Sequence, residues 1–334
     1  MFVATHSAET ARDLLAALRK AAPRDIVELN GDFGAVTLDG IRPDQPVTIK
    51  AAKPGAAHFE SLLLQGCANL SFDGLSFWPL APVPKSRAKP YLVTGLPGST
   101  GIEVSNCLFR GRADSDNHAR WTAADWDAAK IGAVLLRGER SVIRNSAAIG
   151  VYFGYGVGGR NSEIFGNLVF GFSGDGLRAT DDNCVVIGNR VTDAMQIDDN
   201  HSDGFQAFKV RELLNGLVIK DNVLLEWTVR PDNPLRAKMQ GIGLHNGPYS
   251  NVVVRDNVVE TSAANGIRLH AVRDVEVVGN RVRNANGPNG RHPWIKLDQC
   301  SGRMVVENNE AEQFQLNRSV VQRGNRKPDY TARY

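Results

Sequence analysis

The stretch VVRDNVV (253–259) returns almost unchanged as VVGNRV (277–282). Each copy has aliphatic residues, one or two polar or small ones, an asparagine, and then a further apolar stretch. Followed outward in both directions, the phrase reads IEVSNCLF at Asn106, VIRNSA at Asn145, IFGNLV at Asn167, VIGNRV at Asn189, VIKDNVL at Asn222 and VVENNEA at Asn309. With Asn257 and Asn280 these asparagines are separated by 39, 22, 22, 33, 35, 23 and 29 residues. A shortest step near 22, lengthened by loops at some turns, is what a solenoid shows when its coils carry insertions.

The segments around each asparagine are short, valine-rich and β-branched, which favours strands over helices. A second phrase precedes them: DGLRAT (175–180), DGFQAF (203–208), QGIGLH (240–245) and NGIRLH (265–270). Each reads Gly, apolar, variable, apolar, variable, so side chains alternate inward and outward with the period of a strand. HPWIKLDQ (292–299) continues the phrase with Trp294 in the glycine place, and GAVLLRG (132–138) and FGYGVGG (153–159) extend it backwards. Two or three strands per coil and a period of 22 or more predict an all-β fold, a right-handed parallel β-helix. Its stack of about ten or eleven coils would run about 50 Å.

An inward asparagine at a bend can bond backbone and the asparagines above and below it, so the repeat is read as scaffold. Ser7 and Glu9 followed by Ala11, Leu14, Leu15 and Leu18 mark a short amphipathic helix ending before Pro23, a cover for the open sheet end. The expected division is 1–24 as helical cap, 25–312 as β-helix and 313–334 as C-terminal cap or tail.

With 334 residues, 42% of them hydrophobic, the chain can bury a long core. A dispersed net charge of +3 gives no argument for nucleic acid. Cys67, Cys107, Cys184 and Cys300 lie far apart without zinc-site spacing and read as small buried hydrophobes. MFVATHSAETARDLLAAL lacks the basic start, apolar run and small-residue cleavage site of a secretory signal. No apolar run reaches the ~18 residues that span a membrane. Synthesis in a cytoplasm, without membrane insertion, is the expectation.

On the glycine-phrase strand the outward places form two columns. One carries Leu135, Gly156, Arg178, Gln206, Gly243, Arg268 and Lys296; the other carries Arg137, Gly158, Thr180, Phe208, His245, His270 and Asp298. Arg, Gln, His and an aromatic side chain on one flat strip suit a linear polysaccharide, although a solvated face is the plainer reading. Arg178, Gln206, Phe208, Arg268, Lys296, Asp298, Asp203, His201 and Trp227 are the carbohydrate-binding candidates. Asp203 stands out because it lies beside Gln206 and His201. Asp181, Asp182, Asp198 and Asp199 are numerous enough in their loops to hold Ca²⁺ through oxygen ligands, or simply to form turns. Three inserts, 81–91, 111–129 and 227–239, would overhang the coils. Their Trp121, Trp126 and Trp227 either stack on sugars or pack the inserts down.

Over about residues 25–312, the asparagine ladder, the glycine strands and the N-terminal helix resemble the right-handed parallel β-helix (pectin-lyase-like) superfamily. Polysaccharide lyases of that superfamily abstract the proton α to a uronate carboxylate with an Arg, Lys or His base, the acid being neutralised by Ca²⁺ or basic groups. The resemblance gives such roles to Arg268, His270, His245, Lys209 and Lys296. Its glycoside hydrolases carry Gly-His-Gly and its epimerases Asp-Pro-His, and neither motif is present. The superfamily is also similar to phage tailspikes and to tail fibres of phage-like particles, including gene transfer agents. The lack of an export signal points to this group. The leading expectation is therefore a carbohydrate-recognising fibre or spike component that binds a cell-surface polysaccharide, with a homotrimer and attachment to a virion-like particle implied. A polysaccharide lyase, with export by a non-Sec route, and a purely structural solenoid are the alternatives.

Overall fold

The computed structural model describes residues 3–84, 90–208, 213–228, 233–288 and 292–331. The chain divides into two compact units, Met1–Leu168 and Val169–Tyr334. Both are built from coils of three parallel sheets, and the fold is a right-handed parallel β-helix.

In the first unit, Ala11–Lys20 is the expected helix, with Leu14, Ala17 and Leu18 buried. Its N-cap is Thr10, whose hydroxyl accepts from the Asp13 N–H at 3.2 Å, and not the Ser7 region. Residues Thr5–Ala8 instead form a strand paired with Ile26–Leu29, so the first coil begins before the helix. The sheet that holds Ile26–Leu29 continues through Val47–Ala51, Ala68–Asp73, Thr100–Ser105, Val142–Arg144 and Glu163–Phe165. Inside the coils Phe33, Phe59, Phe77 and Phe109 stack with ring centroids 4.8, 5.3 and 5.0 Å apart. Such pairs contribute roughly 0.5–1.5 kcal/mol each beyond area burial. The 111–129 insert carries the short helix Ala123–Ala128. Its Trp121 and Trp126 are buried and meet edge-on at 5.1 Å, so they fasten the insert and present no ring to a sugar.

In the second unit, the asparagine-phrase strands Val185–Ile187, Val218–Lys220, Tyr249–Arg255, Val272–Val278 and Ser301–Glu307 form one parallel sheet, and Val321–Arg323 adds to it. After each of the first five comes a residue at positive φ, then the asparagine: Gly188, Asp221, Asp256, Gly279 and Asn308 precede Asn189, Asn222, Asn257, Asn280 and Asn309. The asparagines bond in series. The N–H and Nδ2 of Asn189 both donate to Asn222 Oδ1 (3.0 and 2.9 Å). Asn222 does the same to Asn257, Asn257 to Asn280, Asn280 to Asn309, and Asn309 to Asn325.

Two of the eight repeat asparagines are not rungs. Asn106 and Asn145 are exposed at φ 53° and 50°, in the left-handed place before the rung. The rungs of the first unit are Cys107, Ser146 and Asn167: the Cys107 N–H donates to Ser146 Oγ at 3.1 Å and the Ser146 N–H to Asn167 Oδ1 at 3.0 Å. The phase slips by one because asparagine satisfies both adjacent places. It tolerates positive φ and it caps a bend. All four cysteines are buried and none is in a disulfide.

Candidate functional site

The glycine-phrase strands of the second unit are Leu177–Ala179, Asp203–Phe208, Gln240–His245, Asn265–His270 and Trp294–Asp298. Leu177, Phe205, Ile242, Ile267 and Ile295 are fully buried, so the period of two turns the alternate side chains outward. Register stacks Arg178 on Gln206, Gln206 on Gly243, Gly243 on Arg268 and Arg268 on Lys296. Phe208 pairs with His245, and His270 with Asp298, in the neighbouring column. Both expected columns thus run across the coils of this unit. They form an open shelf. A concavity of about 530 Å³ lies elsewhere on the unit, lined by residues that include Pro248, Asn251, Arg273 and Asp274, and holds none of the strip residues.

At one end the shelf rests on two buried carboxylates. Arg178 Nε donates to Asp175 Oδ2 at 2.6 Å, and its Nη2 contacts the same oxygen. Burial pushes the Asp175 carboxyl up to about 6, with Arg178 pulling it down and Asp203 pushing it further up. Arg178, one of the expected carbohydrate-binding residues, is thus paired with the buried Asp175. Asp203 is fully buried; its Oδ2 accepts from Gln206 Nε2 at 2.7 Å and lies 3.3 Å from His201 Nδ1. That bond to Asp203 raises the exposed His201. Asp203 Oδ1 is buried with no hydrogen-bond partner. Phe208 lies beside this end, with the Arg178 guanidinium 5.9 Å from its ring.

The other end is basic. Asp298 Oδ2 lies 3.2 Å from His270 Nδ1 and 3.4 Å from Arg268 Nη2. The His270 bond, then Arg268 and the charge of Lys296, hold its carboxyl below the usual range. One carboxylate thus faces three basic side chains. Arg268 Nε is buried without a partner.

His245 lies between the two ends. A Cβ on Gly243 would come within 2.4 Å of His245 Nε2, so the ring occupies the space that the glycine leaves empty. Nε2 is covered and unpartnered there. Burial lowers the pKa of His245, Asp203 opposes that shift, and Arg268, His201 and His270 reinforce it. The imidazole is accordingly neutral at neutral pH.

Other expected residues go different ways. Asp181 Oδ1 accepts the Asp182 N–H (2.9 Å) and Asp198 Oδ1 the Asn200 N–H (3.0 Å), both local bonds within their loops, whereas Asp182 Oδ1 accepts the Asn215 N–H (2.8 Å) from the next coil. Among the described residues there is no group of three or more His, Cys, Asp or Glu side chains placed to hold a metal ion. Trp227 packs against the Arg236 guanidinium. Lys209 lies outside the described residues. The sequence pattern did not reveal Asp175 as the partner of Arg178 or Gly243 as the seat of His245. Among the described residues no helix is long and apolar enough to cross a membrane.

No protein-family model matches the sequence, and no curated protein does. Solved structures do. The A-module of the Azotobacter vinelandii mannuronan C-5 epimerase AlgE6 superposes with a TM-score of 0.62 over 97% of this chain and 97% of its own, at 12% identity. A variant of the PL6 family alginate lyase AlyGC gives 0.55 at 14% identity, over 98% of this chain and 53% of that one. At these identities the likeness is one of fold, and that fold is the right-handed parallel β-helix.

Proposed function

We propose that the shelf of the second unit binds a uronate-containing polysaccharide and removes the proton α to the uronate carboxylate. The observation that carries this reading is a neutral His245, its ring seated over Gly243, one coil from Arg268, with Lys296 on the coil beyond. The names of the two solved structures, a mannuronan epimerase and an alginate lyase, support it as enzymes of the same fold acting on polyuronates. Arg268 and Lys296 would neutralise the carboxylate, which acidifies the C5 hydrogen. His245 takes that proton. The electron pair forms the C4–C5 double bond as the C4–O bond breaks, and the departing oxygen takes up a proton.

Incubation with uronate polymers should raise the ultraviolet absorbance of the new double bond, and His245→Gln should lower that rate by roughly 10²–10⁴-fold. No absorbance rise and no epimerised sugar by NMR, with polymer bound, removes the chemistry. Binding with the polymer recovered intact is what the fibre or spike reading requires, and a trimeric mass would go with it.

A further inference from the structure

The concavity of about 530 Å³ opens where the shelf strands end. Asn265–His270 gives way to Val272–Val278 across Ala271 alone, and Trp294–Asp298 to Ser301–Glu307 across Gln299 and Cys300. The strands that start there are seven residues long, against three in Val185–Ile187, and their first residues form a facet of their own. Leu214, Tyr249 and Val272 stack in register and are buried. Asn215, Ser250, Arg273 and Ser301 stack beside them on the outward side. The facet ends in a bend, where Asn251, Asp274 and Gly302 stand at φ 51°, 61° and 72°.

Polar groups dominate this facet. Ser250 Oγ and Asn251 Nδ2 donate to Asn215 Oδ1 at 2.8 and 2.7 Å, which orders both side chains. Gln299 and Ser301 are exposed. The Arg273 side chain is 76% exposed, and its Nε lies 3.6 Å from Asp274 Oδ2. An exposed pair at that distance holds a guanidinium only weakly, so it can turn to another carboxylate. A Cβ on Gly302 would come within 3.2 Å of Arg273 Cγ, so the glycine makes room for the arginine stem. Hydroxyl, amide and guanidinium groups around a concavity suit a sugar that carries hydroxyls and a carboxylate.

We propose that the concavity is a further subsite for the polymer held on the shelf, with Arg273 on the carboxylate of a uronate and Gln299 and Ser301 on its hydroxyls. The proposal rests on the uronate reading above and extends it around the bend. Arg273 is the third residue after His270, a path of at most about 10 Å, so one oligosaccharide reaches both. A second contact on the same polymer raises affinity without any change at the first.

The experiment is calorimetric titration of the whole protein with octasaccharides of mannuronate and of galacturonate. Arg273→Ala should weaken the octasaccharide that binds by about fivefold, the scale of one exposed charge pair. Ser301→Glu sets a carboxylate in the same concavity and should weaken it at least as much. Both positions are exposed, so neither variant disturbs the core. Arg303 is tied to Glu276 at 2.5 Å and does not line the concavity. Arg303→Ala removes the same charge as Arg273→Ala and should leave affinity within about twofold of native. Native affinity in Arg273→Ala, or equal losses in Arg273→Ala and Arg303→Ala, overturns the subsite and leaves the uronate reading standing. Binding of neither octasaccharide by the native protein overturns both.

Discussion

At the scale of single residues, the fold depends on an amide that serves two coils at once. Asn257 Oδ1 accepts from both the N–H and Nδ2 of Asn222, and its own Nδ2 donates to Ile219 O and Arg255 O. Asn257→Ala leaves these buried groups without partners, and at roughly 1–3 kcal/mol for each stranded group the loss in a denaturant titration should be at least about 2 kcal/mol. Asn106→Gly, at an exposed left-handed position, should be neutral or slightly stabilising in the same titration, since glycine holds that φ without strain. Asp175 gives a pH signature. Its folded value of about 6 lies above the ordinary 3.8, so the folded state holds the proton more tightly than the unfolded chain does. Its contribution is therefore most favourable below pH 4 and declines as pH rises through 6, by about 3 kcal/mol at 1.36 kcal/mol per unit. Asp175→Asn should flatten stability over that window; an unchanged slope would mean that Arg178 holds the carboxylate ionised throughout.

At the scale of strands and turns, the left-handed places are coupled from coil to coil. Asp256 stands at φ 56°, and its Oδ1 leans onto the next coil, where a Cβ on Gly279 would lie 2.3 Å away. Asn308 and Gly324 repeat the arrangement. Gly279→Ala should destabilise by roughly 1–3 kcal/mol through strain and overlap. Asp256→Gly in the same chain should recover part of that, and a double-mutant cycle measures the coupling. Strand identity and facing were legible because aliphatic alternation and glycine spacing record them directly: Leu177, Phe205, Ile242 and Ile267 could only point one way. The exact phase of the asparagine phrase at Asn106 and Asn145 was not legible, since Cys107 and Ser146 are unlike the asparagines they stand in for. The charge beneath the shelf was equally hidden. A sequence shows Arg178 as a cation, and only the fold brings Asp175 under it.

At the scale of the molecule, the two units divide the work: an aromatic stack and a capping helix in the first, the polar shelf in the second. The shelf residues come from one chain, so a catalytic groove predicts a single-chain mass by light scattering, whereas the fibre reading predicts three. Leu14→Ala in the capping helix should cost about 2–5 kcal/mol and leave oligosaccharide binding unchanged in the folded protein. The polar series through the second unit also has a direction. The backbone N–H of each asparagine from Asn189 to Asn309 donates to the amide of the coil that follows it, while the Nδ2 of Asn222, Asn257, Asn280 and Asn309 also reaches back to a carbonyl of the coil before. On a ribosome, every newly emerged turn would thus seal the one synthesised before it, so stalled nascent chains should resist protease in steps of whole coils, always with one unsealed turn at the growing end.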